Sequence, residues 1–387
     1  MTVPSVNWNY PTAIKAGPGR IKELPDWCRE LGMARPLLVT DPGLAALPMI
    51  ADAVRGCRQA GLECGLFHEV KGNPTGRNVD DGVARYREGR HDGVIAFGGG
   101  SALDAAKAIA LMAGQKRPLW DFEDVGDNYL RVNVAGMAPV VAVPTTAGTG
   151  SEVGRASVIT DEAAQVKRII FHARMLPAIV ILDPELTVGL PPRITAATGM
   201  DALSHNLEAY CSPFFHPMAA GIALEGMRMI KEYLPQAVAD GADLQARQQM
   251  LVASSMGATA FQRGLGAMHA LAHPLGALYD AHHGMLNAIL MPYVLKANLH
   301  AVAPRLQALA RYLALPDDGP GAVLDWVLGL RETVGIPHTL ADIGIDDAQA
   351  ERVGRMASED PSGGTNPVAY TPDQYAELFR AAVRGIL

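Results

Sequence analysis

Two patterns of apolar and polar residues divide the chain. In the first half, short unbroken apolar runs alternate with stretches of helical spacing. Residues 36–40 (Pro-Leu-Leu-Val-Thr) run into the turn Asp41-Pro42-Gly43, and helical spacing continues to about Ala60. A second run at 62–67 precedes helical spacing near 79–87. A third, 93–97 (Gly-Val-Ile-Ala-Phe), passes directly into Gly98-Gly99-Gly100-Ser101 and a helix to about Met112. Residues 139–143 and 178–182 are further unbroken runs. A strand that is apolar on both faces belongs in a parallel sheet covered by helices on each side. This half therefore predicts an α/β layered domain.

Past the Pro- and Gly-containing stretch 183–192 the pattern changes. Strand-like runs nearly vanish, and Ala-, Leu- and Met-rich helical spacing covers 193–210, 217–235, 242–261, 285–298, 301–313, 319–335 and 373–385. The expected organisation is an α/β domain over 1–188 with a parallel sheet and an all-helical domain over 189–387. Residues 317–321 and 360–364 read as loops, and no internal repeat is present.

Composition narrows the function. A chain of 387 residues suits about two domains with large cores. A net charge of -7 without a run of Lys or Arg argues against a nucleic-acid surface. Cys28, Cys57, Cys64 and Cys211 show no paired metal-binding spacing and are expected to be buried, reduced thiols. The N-terminal segment lacks a basic stretch followed by an apolar one, and no apolar run reaches membrane-spanning length. A cytoplasmic protein without membrane or nucleic-acid partners is expected.

Three constellations carry chemistry. The strand–Gly98-Gly99-Gly100-Ser101–helix passage lets backbone approach a ligand and aims helix N-terminal N–H groups at it, which suits phosphate. Asp104 and Lys107 lie in that helix's first turns, where a solvated pair is the plain alternative. Thr145-Thr146-Ala-Gly-Thr149-Gly-Ser151 follows an apolar run, placing hydroxyls at a strand's carboxyl end, where open α/β sheets bind ligands. Asp41, just past the run at 36–40, suits a ribose diol or a helix cap equally. The third lies in the helical half: Asp201 and His205 are four apart, as are His269 and His273, and His282-His283 follows. A carboxylate and several imidazoles from separated segments make a mixed N/O site for a borderline divalent metal. Spacing alone leaves open whether His269 and His273 both bind, and whether His282 or His283 completes the set.

In order along the chain, GGGSALDAAKA, PTTAGTGSEV, DPELTVGLPP, GMDALSH and GLGAMHALAHPLGALYDAHHG resemble the iron-containing (group III) alcohol dehydrogenase family over nearly the whole length. The resemblance implies a dehydroquinate synthase-like fold, with an N-terminal dinucleotide-binding domain, a C-terminal metal domain and the site in the cleft between them. It implies Asp201, His205, His269 and His283 as metal ligands, with His273 outside that set beside the nicotinamide as proton carrier. Implied cofactor contacts are Asp41, which favours NAD over NADP, with Asn73, Gly98, Gly99, Gly100, Ser101, Asp104, Thr145, Thr146, Thr149, Ser151 and Lys167. Arg168 is the neighbour that competes with Lys167 for its role.

One Asp and three neutral His leave a divalent cation with a charge of about +1, enough to neutralise an alkoxide. Four protein ligands saturate tetrahedral Zn(II) but leave Fe(II) open positions, so Fe(II) is the expected catalytic metal and Zn(II) a possible isolated one. The expected reaction is hydride transfer between NAD(H) and a small primary alcohol or diol, or reduction of an aldehyde, by a homodimer. Phe122, Phe214, Phe215 and Phe261 are candidates for the substrate wall. The alternatives are a glycerol-dehydrogenase-like polyol oxidoreductase and a dehydroquinate-synthase-like metal lyase. The lyase needs several cations near the metal, where only Arg263 is close in sequence.

Overall fold

A computed structural model describes residue 10 and residues 12–387. The N-terminal segment examined for a leader lies, apart from Tyr10, outside the described residues. The described residues form two compact units: one of 12–146 and Gly150–Gly189, the other of Leu190–Leu387 with Tyr10 and Ala147–Thr149.

The first unit is built on β1 (Ala13–Ala16), α1 (Leu24–Glu30), β2 (Pro36–Val39), α2 (Pro42–Ala45), α3 (Pro48–Gln59), β3 (Gly65–Phe67), α4 (Gly76–Glu88), β4 (Gly93–Gly98), α5 (Gly100–Met112), β5 (Val140–Pro144), β6 (Ala156–Asp161), β7 (Val166–Phe171) and β8 (Ile179–Leu182). Six strands form one sheet in the order β1-β8-β5-β4-β2-β3, with every pairing parallel. Every residue of β2, β4, β5 and β8 is buried, which is why their sequences are unbroken apolar runs. β1 was not visible in the sequence: it sits at the sheet edge, largely exposed, and needs no apolar run. The antiparallel hairpin β6–β7 was missed too; β6 buries only alternate residues, so its signal is weaker.

The second unit contains α6 (Pro192–Cys211), α7 (Pro217–Ala239), α8 (Leu244–Ala260), α9 (Ala267–Tyr279), α10 (His283–Tyr312), α11 (Ala322–Thr333), α12 (Ala350–Glu359) and α13 (Pro372–Arg384). The helices expected at 285–298 and 301–313 are one continuous α10, which runs through Pro292 and Pro304. Each proline removes one backbone hydrogen bond, and at Pro292 burial of the helix from Gly284 to Leu295 holds it together across that gap. α9 lay outside the expected helical stretches because residues 267–276 are all buried, leaving no polar face to reveal a period. α12, only ten residues long, was missed as well. All four cysteines are buried and free. Among the described residues no helix is long and apolar enough to cross a membrane.

Candidate metal centre and glycine-rich loops

Three helices of the second unit aim side chains at one point. α6 carries Asp201, His205 and Glu208, spaced four and three apart and so on one face. α9 carries His269 and His273, and α10 begins at His283 with Asn287 one turn on. One donor atom from each of Asp201, His205, His269 and His283 lies within 4.8 Å of the others. Asp201, His205 and His269 are buried, whereas the His283 side chain is 25% exposed and marks the open side. Gly284 permits this approach: a Cβ there would stand 2.7 Å from the Ala197 carbonyl oxygen and 3.2 Å from the Asp201 Cβ.

The donors are oriented from behind. His205 Nδ1 lies 3.2 Å from the Gly148 carbonyl, which only accepts, so Nδ1 donates and Nε2 keeps its lone pair. Burial lowers His205 to about 4, so its ring is neutral, the form that binds metal. His269 Nδ1 donates to Glu208 Oε2 at 2.6 Å, and Glu208 Oε1 also accepts from the Met268 N–H at 2.8 Å. Burial opposes a charge on His269, but the Glu208 carboxylate outweighs it and raises the imidazole above its ordinary value. A carboxylate or carbonyl behind a histidine is the usual support of a metal ligand. A tetrahedral site with bonds of about 2.0–2.1 Å needs donors roughly 3.4 Å apart. His283 Nε2 and Asp201 Oδ1 are 3.8 Å apart, so small side-chain shifts suffice and the residues fit a divalent cation.

His273 lies outside the four. Its Nδ1 is 2.8 Å from Asp360 Oδ2, and its ring stacks near His283 at 5.6 Å between centroids. Burial opposes the charge of Asp360, yet His273 and the Ser362 N–H hold its carboxyl below the ordinary range. His282 instead caps α10, its Nδ1 accepting from the Met285 N–H at 3.3 Å. Of the aromatic candidates, Phe261 meets the His205 ring edge-on at 5.3 Å. Phe122 is buried in the first unit and Phe214 and Phe215 are exposed, so no wall is seen to form from those three. Arg263 is buried and its Nε donates to the Phe214 carbonyl, an engaged cation rather than one waiting for a phosphate.

In the first unit, three candidate cofactor elements stand at the carboxyl ends of the neighbouring strands β5, β4 and β2, the position where such sheets bind ligands. Gly98 ends β4 with φ +147, and a Cβ there would strike the Ala102 Cβ at 2.7 Å. Gly99 caps α5, which starts at Gly100 with its first N–H groups unshared within the helix. Ser101 Oγ donates to the Gly72 carbonyl, joining that turn to Asn73. Thr145 follows β5, and its N–H donates to the Gly98 carbonyl at 3.0 Å; Thr146 comes within 3.4 Å of a Cβ placed on Gly99. Asp41 caps α2 through Oδ1, which accepts from the Leu44 N–H at 2.9 Å, while Oδ2 lies 3.7 Å from a Cβ placed on Gly98. The two sequence readings of Asp41 are thus compatible, one oxygen for each.

Lys167 Nζ donates to Asn73 Oδ1 at 2.9 Å. Arg168, on the other face of β7, pairs with Glu123 at 2.6 Å and Asp161 at 2.9 Å. Asp104 has both oxygens engaged: Ser151 Oγ donates to one at 2.5 Å and the Val158 N–H to the other at 2.9 Å. Lys107, fully buried beside them, donates to the Ala156 carbonyl. Asp104 and Ser151 therefore pin the loop after β5. Thr149 belongs with the segment Ala147–Thr149 that is grouped with the helical unit.

Sequence reading missed Glu208, Asn287 and Asp360. Glu208 and Asn287 share helix faces with proposed ligands, a signal that was present. Asp360 is eighty-seven positions from His273 and had none.

Comparison with known proteins places these features. Residues 11–184 match the family described as iron-containing alcohol dehydrogenase, and residues 195–383 match the Fe-containing alcohol dehydrogenase family, C-terminal. A 4-hydroxybutyrate dehydrogenase of Cupriavidus necator is 38% identical, covering 97% of this chain and 99% of its own length. An NAD-dependent methanol dehydrogenase of Bacillus methanolicus is 35% identical, covering 97% and 100%. Among solved structures, a 1,3-propanediol oxidoreductase superposes with a TM-score of 0.92 at 35% identity, covering 98% of this chain and 100% of that one.

Proposed function

The chain belongs to the iron-containing alcohol dehydrogenase family, and on that premise we propose a residue-level account of its activity. It is an NAD-dependent alcohol oxidoreductase. Its substrates are small primary alcohols or diols and the matching aldehydes, a reading supported by the relatives that act on 4-hydroxybutyrate, methanol and 1,3-propanediol. A glycerol-dehydrogenase-like polyol preference is the second reading within this chemistry.

Residues 1–188 bind NAD and residues 189–387 hold the metal. Asp201, His205, His269 and His283 hold a divalent cation, which we assign as Fe(II) because four protein donors still leave it open positions. The observation that carries this is the convergence of one carboxylate and three imidazoles within 4.8 Å, two of the rings oriented from behind. When bound, the cation supplies Lewis-acid polarisation of the substrate oxygen and the nicotinamide carries the hydride. The N–H groups at the start of α5 receive the pyrophosphate, Asn73 and Lys167 frame the same pocket, and Asp41 Oδ2 accepts from the ribose diol. Asp104 and Ser151 hold the loop that carries Thr145, Thr146 and Thr149. Asp360 accepts from His273 Nδ1, leaving Nε2 to take the substrate hydroxyl proton and pass it to solvent.

The test is chelation followed by metal return. Dialysis against chelator should abolish NADH oxidation across a panel of small aldehydes, and anaerobic Fe(II) should restore it best. Full activity with no metal bound ends this reading.

A further inference from the structure

Asn287 stands one helical turn beyond His283 on α10 and is wholly buried. Its Nδ2 lies 2.8 Å from Asp201 Oδ1, 3.2 Å from His269 Nε2 and 3.1 Å from His283 Nε2. One amide nitrogen thus addresses three of the four proposed ligand atoms. The nitrogen, not the oxygen, faces Asp201, because turning the amide over would set a carbonyl oxygen 2.8 Å from a carboxylate oxygen. At the other end, Asn287 Oδ1 is buried with no hydrogen-bond partner. Apart from its place on α10, the amide is therefore held only by the three acceptors its nitrogen faces.

An amide carries two N–H hydrogens, and here three acceptors share them. Those acceptors are not equivalent. A carboxylate oxygen has a second lone pair and can serve an amide and a cation together. An imidazole nitrogen has one. His269 Nδ1 is committed to Glu208, so in the neutral ring the single lone pair of its Nε2 goes either to Asn287 or to a cation, never to both. We propose that Asn287 is a further residue of the metal centre, which holds the ligands assembled by engaging their lone pairs and so competes with the cation for them. Metal binding then costs Asn287 an imidazole contact while its bond to Asp201 persists. Removing the amide stabilises the loaded chain relative to the stripped one.

This inference rests on the metal-centre assignment above, and the experiment separates the two. Full-length wild type, Asn287→Ala and Asn287→Ser are stripped of metal, then titrated with Zn(II) alone against a chelator of known affinity. Thermal unfolding is recorded with and without Zn(II). Asn287→Ala should bind Zn(II) on the order of tenfold more tightly, the effect of one lost buried contact. Its Tm should fall more in the stripped chain than in the loaded one, as linkage requires. Asn287→Ser keeps a hydroxyl donor and should fall between the two, and it serves if the stripped alanine variant does not fold. Unchanged or weaker binding in both variants, with wild type binding normally, overturns the role of Asn287 alone. If wild type takes up no Zn(II), the metal-centre assignment fails and this inference with it.

Discussion

Glu208→Gln is the substitution that most directly probes how the metal centre is built. The Glu208 side chain is 4% exposed and gives one oxygen to His269 Nδ1–H and the other to the Met268 N–H. Glutamine keeps the size but has one acceptor and two donors. Either Met268 N–H or His269 Nδ1 must then face an NH2 group. If it is His269, the ring must move its proton to Nε2, the atom that should bind metal. An unmatched buried donor costs about 1–3 kcal/mol, and loss of a carboxylate behind a ligand typically weakens metal binding 10–100-fold. The expected loss in affinity is therefore about 1.4–2.7 kcal/mol, read by Co(II) titration against a competing chelator. The pH dependence has a definite sign. Burial alone would lower His269, but Glu208 raises it above its ordinary value. In the stripped chain the pair contributes stability that is complete below about 6.5, the ordinary imidazole value, and lost as pH rises through the raised folded value. A proton and a cation compete for the same Nε2, so wild-type metal affinity should climb with pH over that window. In Glu208→Gln the competition recedes to lower pH, so the gap between the two proteins should be widest at alkaline pH. Equal affinity with an equal pH profile would show that Glu208 merely fills space.

Two further predictions follow from the site geometry. If Asp41 Oδ2 receives the ribose diol, NAD(H) should be preferred to NADP(H) by at least about tenfold in kcat/KM, or about 1.4 kcal/mol; Asp41→Gly should erode this with little loss of helix capping, and equal use of the two cofactors by the unaltered protein would refute the assignment. Among the histidines, His269→Ala and His283→Ala should lose metal, whereas His273→Ala should keep it while kcat falls on the order of 10²–10⁴; His282→Ala should cost only about 1 kcal/mol of stability from the lost α10 cap. Metal content per chain decides, and a metal-free His273→Ala beside a metal-bound His283→Ala would refute the ligand set.

What the sequence determined on its own was whatever depends on local pattern. β2, β4, β5 and β8 are continuous apolar runs because sheet strands buried on both faces must be, and Gly98 at the end of β4 marks a turn that a side chain would not fit. Motif order carried the family, and with it the candidates Asp201, His205, His269 and His283. Tertiary structure decided what depends on partners distant in the chain. Lys167 and Arg168 are adjacent in sequence, and only the pleat of β7 sends one to Asn73 and the other to Glu123 and Asp161. Spacing could not tell His273 from His269, since each lies on the same face of α9; Glu208 from α6 and Asp360 from a distant loop assign them different surroundings. The stretches 285–298 and 301–313 are one helix, α10, and Pro292 inside it lies in the buried run Gly284–Leu295, where packing outweighs the missing hydrogen bond. The i, i+4 spacing puts Asn287 beside His283, but only folding brings Asp201 and His269 to the same amide. A side chain's chemistry is local, but the lone pairs and charges that give it a role come from elsewhere in the chain, and folding alone assembles them.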